Sequence, residues 1–497
     1  MAYGMIKKFG SGLLRLGAKR GDVLGMVVPN FPEFPIAFFG AAGVGVTLTT
    51  MNPTYRPEEI ARQLENSGTK YLLVFSMFLE NIKQACKIYQ GIQKIIVMGD
   101  VGKGGFCPNM IPFIELALLD DGELYGTNRK DFDPVEDICV MPYSSGTTGP
   151  PKGVALTHYN LVANMIQILH SDVKMVQRTT KDRQEVTIAV LPFFHILAMN
   201  TIMTLGLHLG TKTVTVPKFE PELYLKALST YKPTYLVLVP PLVSFLSTSP
   251  MVKASVLSSV VTVSGGAAPF GPALLEKFMA KCAPNAVKFR EGLGMTESSP
   301  VTHIQPERNA RLGGCGHPVP STIAKVVDID TGAALPPNTD GELLVAGPQV
   351  MQGYHGDEEA TKATVVGGWL HTGDIARYDE EGQFVIVDRL KELIKVKGLQ
   401  VAPSELEDLI RRHPGVNDVA VVGVPDDRAG ELPRAYVVRK NRNVLEQDII
   451  NYVSEHAAPH KRLAAGVMFV ETLPKNQTGK LLRRELKAQV FKGSFGY

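Results

Sequence analysis

Tyr143-Ser144-Ser145-Gly146-Thr147-Thr148-Gly149-Pro150-Pro151-Lys152-Gly153 is the stretch on which the reading of the whole chain turns. It holds three glycines, four serine or threonine hydroxyls and one lysine, and no carboxylate. Ahead of it, the apolar run 138–141 predicts a short buried strand; behind it, 160–169 predicts a helix. Strand, hydroxyl-rich loop and helix together make a phosphate cradle. The glycines admit close backbone approach, amide N–H groups face the anion, and the lysine supplies charge. The stretch is not a Walker A loop, because Gly-x-x-x-x-Gly-Lys-Ser/Thr is absent. Clusters of Gly, Ser and Thr are usually polar surface loops. The lack of any acid and the Pro-Lys-Gly ending favour the phosphate reading.

At 497 residues the chain is long enough for two or more domains with large cores. Its 44% apolar and 20% charged residues are ordinary for a globular protein, and a net charge of +3 gives no case for nucleic acid. Cys86, Cys107, Cys139, Cys282 and Cys315 are scattered, odd in number and free of Cys-x-x-Cys. They read as small apolar residues in a reducing compartment, not as a zinc site. No secretory signal is visible. Residues 1–21 carry five basic residues and no acid, as a mitochondrial presequence does. The better reading is an amphipathic helix with Ile6, Phe9, Leu13, Leu14 and Leu16 on one face. Two uncharged stretches, 34–55 and 186–211, exceed the roughly 20 residues that span a bilayer. Proline and glycine break the first, and Pro192, His195, Asn200 and His208 break the second. They read as buried helices, with peripheral membrane contact left open. The C-terminal Phe495-Gly496-Tyr497 is not a peroxisomal Ser-Lys-Leu address, so a cytoplasmic location is expected.

Strand candidates at 22–28, 47–51, 71–75 and 94–98 alternate with helix candidates at 34–42, 57–67 and 79–89. That alternation predicts a parallel sheet covered on both faces. Residues 99–133 are poorly patterned. Further strands are expected at 186–191, 213–216, 235–239 and 260–263. The last runs into Ser264-Gly265-Gly266-Ala267-Ala268-Pro269, where small residues at a strand end let a flat ring lie on the backbone. In Gly292-Leu293-Gly294-Met295-Thr296-Glu297 a hydroxyl beside a carboxylate suits a phosphate with its Mg²⁺. His195 alone reads as a core histidine, Asp374 in Thr372-Gly373-Asp374 as a turn former, and Lys480 as a solvent-facing charge. Lys395, Lys397 and Gln400 alternate with apolar residues, as on a half-exposed strand. Helices at 404–412 and 447–456 and strands at 416–424 and 435–439 then predict a small α+β domain.

The 143–153 loop resembles the signature loop of the adenylate-forming superfamily. That superfamily includes acyl-CoA synthetases, 4-coumarate:CoA ligases, beetle luciferases and the adenylation domains of peptide synthetases. The other motifs follow in that family's order, from the first helix to Leu486. The resemblance implies an α/β fold. Its large N-terminal domain, 1–388, would have stacked, mostly parallel sheets and a distorted β-barrel. A hinge at 389–391 and a small mobile α+β domain, 390–497, would follow. It also implies several dozen residues ahead of the first helix, so the start of this chain reads as truncated or alternatively initiated.

The implied activity is ATP-dependent formation of an acyl-adenylate from a fatty or aryl acid, then transfer to coenzyme A, with Mg²⁺ as cofactor. Ser144, Ser145, Gly146, Thr147, Thr148, Gly149 and Lys152 would hold the phosphates, and Gly266, Ala267, Ala268 and Pro269 the adenine. Gly292, Leu293, Gly294, Met295 and Thr296 would line the α-phosphate, with Glu297 on the metal. Asp374 and Arg389 would grip the ribose, and Lys480 would be the catalytic lysine. His195, Leu197 and Gly294 would shape the acyl pocket. Lys391 would be the hinge, with Lys395, Lys397, Gly398 and Gln400 serving the thioester step. Leu293 and Leu197 depart from the aromatics usual in the family. The lack of an aromatic at Leu197 weakens a coumarate or luciferin reading and leaves room for an aliphatic acid. Three alternatives share these motifs: a luciferase-like monooxygenase, a carrier-protein acylating enzyme, and a non-catalytic nucleotide-binding scaffold.

Overall fold

The computed structural model describes the chain except residues 102–108, 128–131, 145–150, 308–309, 398, 427, 476–479, 484 and 489–497, and the side chains of Asn285 and Gln400. Among the described residues its largest sheet has nine strands. Seven of them, in the spatial order Lys152–Thr157, Ile138–Val140, Thr47–Thr50, Val23–Val27, Thr69–Phe75, Lys94–Met98, Met110–Pro112, form the main run. The run from Ile138–Val140 to Met110–Pro112 is parallel, and Lys152–Thr157 is antiparallel to its neighbour.

Continuous apolar runs form this sheet because both faces are covered. Tyr71 and Leu73 face one core together with Phe34 and Phe38 of helix Glu33–Ala42. Leu72 and Val74 face the other, against Ile60 and Leu64 of Pro57–Ser67 and Ile82 of Leu79–Ile88. Each such fully buried side chain contributes about 1.5–3 kcal/mol through the hydrophobic effect. The stretch read as unpatterned, 99–133, supplies the edge strand Met110–Pro112 and a π-helical turn, Glu115–Leu119. Helix His158–Leu169 starts two residues earlier than its apolar pattern. Thr157 caps it: Asn160 N donates to Thr157 Oγ1 at 3.2 Å, and Thr157 N donates to Asn160 Oδ1 at 2.9 Å.

A parallel pair, Val186–Ala189 with Lys212–Thr215, and a five-stranded sheet share the main core. That sheet runs Tyr235–Leu238, Thr262–Gly265, Lys288–Gly294, Val301–Ile304, His317–Pro318. Its first three strands are parallel and the rest antiparallel. The unit expected as a distorted barrel is an antiparallel sheet of five strands between Ile323 and Arg389, bridged to the previous sheet at Gly316–Phe384. The uncharged stretch 186–211 is not one helix. It is a strand followed by short helical segments up to Leu209. No helix among the described residues is long and apolar enough to cross a membrane. Cys139, Cys282 and Cys315 are buried thiols and Cys86 is half-buried; Cys107 lies outside the described residues.

The C-terminal part has its own core around Ile394, Val401, Leu406, Val421, Val437 and Ile449. The segment expected as one strand from Lys395 to Gln400 is a hairpin. Ile394–Val396 pairs with Leu399–Val401, the chain reverses between Val396 and Leu399, and Lys397 takes a φ of 51°. The apolar positions shift phase from 394 and 396 to 399 and 401, and that one-residue slip is the trace the reversal leaves in the sequence. Helix Pro403–Arg411 presents Glu407, buried, to Arg483 at 2.7 and 2.8 Å, and Glu407 also accepts from Val421 N at 2.8 Å. This pair fastens the chain just after Lys480 to the small core.

Replacing Arg483 by Leu leaves that carboxylate buried with only the more distant Arg411, 3.8 Å away. Removing one partner of such a pair costs roughly 3–5 kcal/mol. Scanning calorimetry of Arg483→Leu should show a clearly lower first thermal transition; a transition unchanged within a degree would remove the pair from the stability of this unit.

Candidate active site

A cavity of about 610 Å³ opens where the nine-stranded sheet, the mixed sheet, the antiparallel sheet and the chain around Lys480 meet. Its lining brings together Ser144, Lys152, His195, Leu197, Gly266, Ala267, Gly292, Leu293, Gly294, Met295, Thr296, Glu297, Arg389, Lys391 and Lys480. Asp374 stands directly behind Arg389, with Arg389 Nε 2.8 Å from Asp374 Oδ1. Ala268, Pro269, Lys395 and Lys397 do not line the cavity. Ser145, Gly146, Thr147, Thr148, Gly149 and Gly398, and the side chain of Gln400, lie outside the described residues.

Local structure explains the placement. Asp374 and Arg389 are cross-strand partners on Trp369–Tyr378 and Phe384–Arg389, so the sheet register sets their contact. Thr372 Oγ1 donates to Leu343 O at 2.7 Å, and Arg389 Nη1 donates to Thr372 O at 3.2 Å, which fixes the turn ahead of Asp374. At Gly294 an added Cβ would fall 2.3 Å from Pro300 O, so glycine is required for the strand ends to approach. Ala267 holds a φ of 74°, a left-handed conformation stored at the cavity wall.

Charge is concentrated at one end. Burial pushes the Asp374 carboxyl above its usual range, and Arg389 and Lys480 pull it back. Burial lowers the Lys480 ammonium, Arg389 adds to that, and Asp374, Glu297 and Glu392 oppose it. His195 is pushed down to about 4 by burial, with the Lys480 charge adding to the effect, so its imidazole is neutral at pH 7. Lys152 Nζ lies 3.0 Å from Asp357 Oδ2 and 5.1 Å from the centre of the Tyr354 ring. Tyr354 donates its hydroxyl to Glu297 Oε1 at 2.9 Å.

Among the described residues no cluster of three or more His, Cys, Asp or Glu forms a self-contained metal cage. The Glu297 carboxylate on the cavity lining does fit Mg²⁺, which keeps its waters and takes one or two carboxylates with substrate oxygens.

Two further lining residues, Glu342 and Tyr354, are absent from the candidates drawn from the sequence. Glu342, of the Gly341-Glu342-Leu343 motif, binds His371 Nδ1 through Oε2 at 2.9 Å and accepts from Gly373 N through Oε1 at 3.3 Å. Tyr354, of the Gly353-Tyr354 motif, is the partner of Glu297. A charged residue inside an otherwise apolar strand was the available signal for Glu342, and Tyr354 lies in the short Met351-Gln352-Gly353-Tyr354 stretch.

A model of the AMP-binding enzyme family matches residues 2–355, and one of the AMP-binding enzyme C-terminal domain matches residues 405–480. The chain therefore belongs to the AMP-binding enzymes, the adenylate-forming superfamily. Within it, the chain is 39% identical over 491 residues to a 4-coumarate–CoA ligase of Humulus lupulus, covering 97% of this chain and 87% of that one. ATP-bound MatB from Rhodopseudomonas palustris has a similar fold, with a TM-score of 0.88 at 25% identity over 100% of this chain and 93% of that one. Its apo form scores 0.75 over the same shares at 25% identity. The anthranilate CoA ligase AuaEII in complex with anthranoyl-AMP scores 0.88 at 25% identity over 99% and 92%.

Because the Lys480 charge adds to the lowering of the His195 pKa, the two sites are coupled. In Lys480→Ala, the His195 ring resonances, followed by NMR across pH 3 to 8, should titrate at higher pH than in the parent. An unmoved titration would mean that Lys480 does not share the cavity with His195.

Proposed function

We propose that this chain is an AMP-forming acid–thiol ligase that activates an organic carboxylic acid with ATP and passes the acyl group to coenzyme A. One observation carries the proposal. Lys480, from the C-terminal part, lines one cavity with Glu297 and His195 of the N-terminal part and stands within electrostatic reach of both and of Asp374 behind Arg389.

The site chemistry follows from charge and hydrogen-bonding capacity. The Asp374 carboxylate can accept from both hydroxyls of a ribose while Arg389 holds it in place. Gly266 and Ala267 offer a flat backbone wall for the adenine. Lys152, and the loop residues Thr147 and Thr148 by resemblance, face the outer phosphates. Thr296 meets the α-phosphate. Glu297 would hold Mg²⁺, which when bound neutralises phosphate charge.

In the first half-reaction a carboxylate oxygen attacks the α-phosphorus. The new O–P bond forms as the bond to pyrophosphate breaks. Negative charge grows on the bridging and equatorial oxygens, where a fixed Lys480 ammonium stabilises the transition state more than the ground state. His195, buried and neutral, closes the acyl side without adding charge. In the second half, coenzyme A thiolate attacks the acyl carbon, the C–O bond breaks, and AMP leaves. The small unit, 390–497, turns about Lys391 between the halves, withdrawing Lys480 and bringing the Lys395–Gln400 hairpin to the cavity. The higher likeness to the ATP-bound than to the apo form of MatB supports reading this arrangement as the adenylating one.

Lys480→Ala should bind ATP by calorimetry yet lose adenylation by about 100- to 1,000-fold in ATP–pyrophosphate exchange, roughly 3–4 kcal/mol. Exchange at the parent rate would refute the role. Lys391→Pro fixes the backbone at the proposed pivot. It should keep exchange near the parent rate while slowing thioester formation at least tenfold. Equal losses in both halves would reject the turning motion.

A further inference from the structure

Helix Pro403–Arg411, the first α-helix of the small unit, begins without a cap of its own. Its cap position holds Ala402, which has no side-chain oxygen to accept from the first turn. The acceptor comes from across the hinge. Ser404 N, in that first turn, donates to Asp388 Oδ2 at 2.8 Å, and Ser404 Oγ donates to Val387 O at 2.5 Å. Val387 and Asp388 belong to Phe384–Arg389, the last strand of the N-terminal part.

Asp388 is 6% exposed, so its carboxylate depends on these partners and not on water. Its other oxygen, Oδ1, accepts from Arg389 N at 2.7 Å, and the strand register sets Asp388 opposite Ile375. Each oxygen therefore holds a backbone N–H, one from its own strand and one from the small unit. The helix adds the positive end of its dipole, which favours a carboxylate at the first turn.

The same helix reaches the chain around Lys480. Glu407, one turn after Ser404, binds Arg483, three residues beyond Lys480. Leu406 and Ile410 of the helix are packed into the small core, so Ser404 and Lys480 belong to one rigid piece. A cap supplied by the small unit itself would persist in every orientation of that piece. A cap taken from Asp388 exists only while Ser404 lies against strand Phe384–Arg389.

We propose that Asp388 is the latch of the adenylating arrangement, a positioning residue that holds helix Pro403–Arg411, and through Glu407 and Arg483 the chain around Lys480, over the cavity, and that it has no part in thiol transfer. This rests on the ligase reading above. A turn about Lys391 breaks both Ser404 hydrogen bonds, and Asp388 and Ser404 N pass to water. A hydrogen bond to a charged group is strong enough to bias two orientations, yet its net worth is small enough to be exchanged for water in each cycle.

The test measures the two half-reactions of the full chain separately. ATP–pyrophosphate exchange is run with benzoate, cinnamate, 4-coumarate and octanoate, and the acid the parent uses best is kept. Thioester formation is then followed from the synthetic acyl-adenylate of that acid and coenzyme A, without ATP. Asp388→Ala should lower exchange by about tenfold, the weight of one hydrogen bond to a charged group. Its thioester formation should equal or exceed the parent rate, and its ATP affinity by calorimetry should be unchanged. Ser404→Ala alters only the small unit and keeps the N–H; it should lower exchange by roughly two- to fivefold with the same split.

Exchange at the parent rate in both variants overturns the proposal. Equal losses in the two halves, or a loss of ATP affinity in Asp388→Ala, would make Asp388 a support for the fold or for Arg389 and overturn it as well, leaving the ligase reading intact. If the parent shows exchange with none of the four acids, the ligase reading fails and this inference fails with it.

Discussion

A carboxylate removed from water must be matched by cations, and in this molecule that constraint falls on Asp374. Taking one ion out of water costs several kcal/mol even after relaxation. Arg389 offsets part of the cost from the neighbouring strand, 2.8 Å away and fixed by the sheet register. Lys480 supplies a second positive charge from the far end of the chain. Its own burial disfavours the ammonium, and Asp374, Glu297 and Glu392 restore it. Neither unit can place these charges alone. The charge set is complete only when the C-terminal part lies over the cavity.

The same cavity is also lined by buried apolar side chains, among them Met175, Val237 and Ile304, and an apolar lining lowers the local dielectric and strengthens the charge interactions. His195 lines the same cavity, and burial keeps it neutral. A charged imidazole there would repel Lys480. An acyl-adenylate formed in such a place is shielded from hydrolysis by the site that made it.

Much of the fold was legible because parallel sheets buried on both faces write themselves as continuous apolar runs. Strands Val23–Val27, Thr69–Phe75 and Lys94–Met98 and helix Pro57–Ser67 lie where the pattern puts them, to within two residues. The Lys395–Gln400 hairpin was read as one strand, although the apolar positions slip by one residue between Val396 and Leu399, where the chain reverses. Of the candidate site, the motifs named Lys152, His195, Glu297, Arg389 and Lys480, which line one cavity. The contacts that join them escaped, because they are tertiary: Tyr354 to Glu297 is 57 residues apart, Arg483 to Glu407 is 76, and His371 to Glu342 is 29. No local period records a pair at such separations. Only a fold that brings the two strands or loops together does so.

The C-terminal part is built so that two of its segments move as one. Arg483 is bound to Glu407, and Leu486 is buried against Ala420, Val422 and Tyr436, so the chain after Lys480 is fastened to the strands Val416–Asp426 and Gly430–Arg439. The Ile394–Val396 and Leu399–Val401 hairpin is fastened to the same strands through Ile394, Val396 and Val401. Close-packed cores transmit displacement and do not absorb it. A turn that withdraws Lys480 therefore must carry the hairpin with it, and a turn that brings the hairpin to the cavity must remove the charge. In the ligase reading, a single rotation thus suffices to end adenylation and begin thiol transfer, because one packed core prevents both from being set up at once.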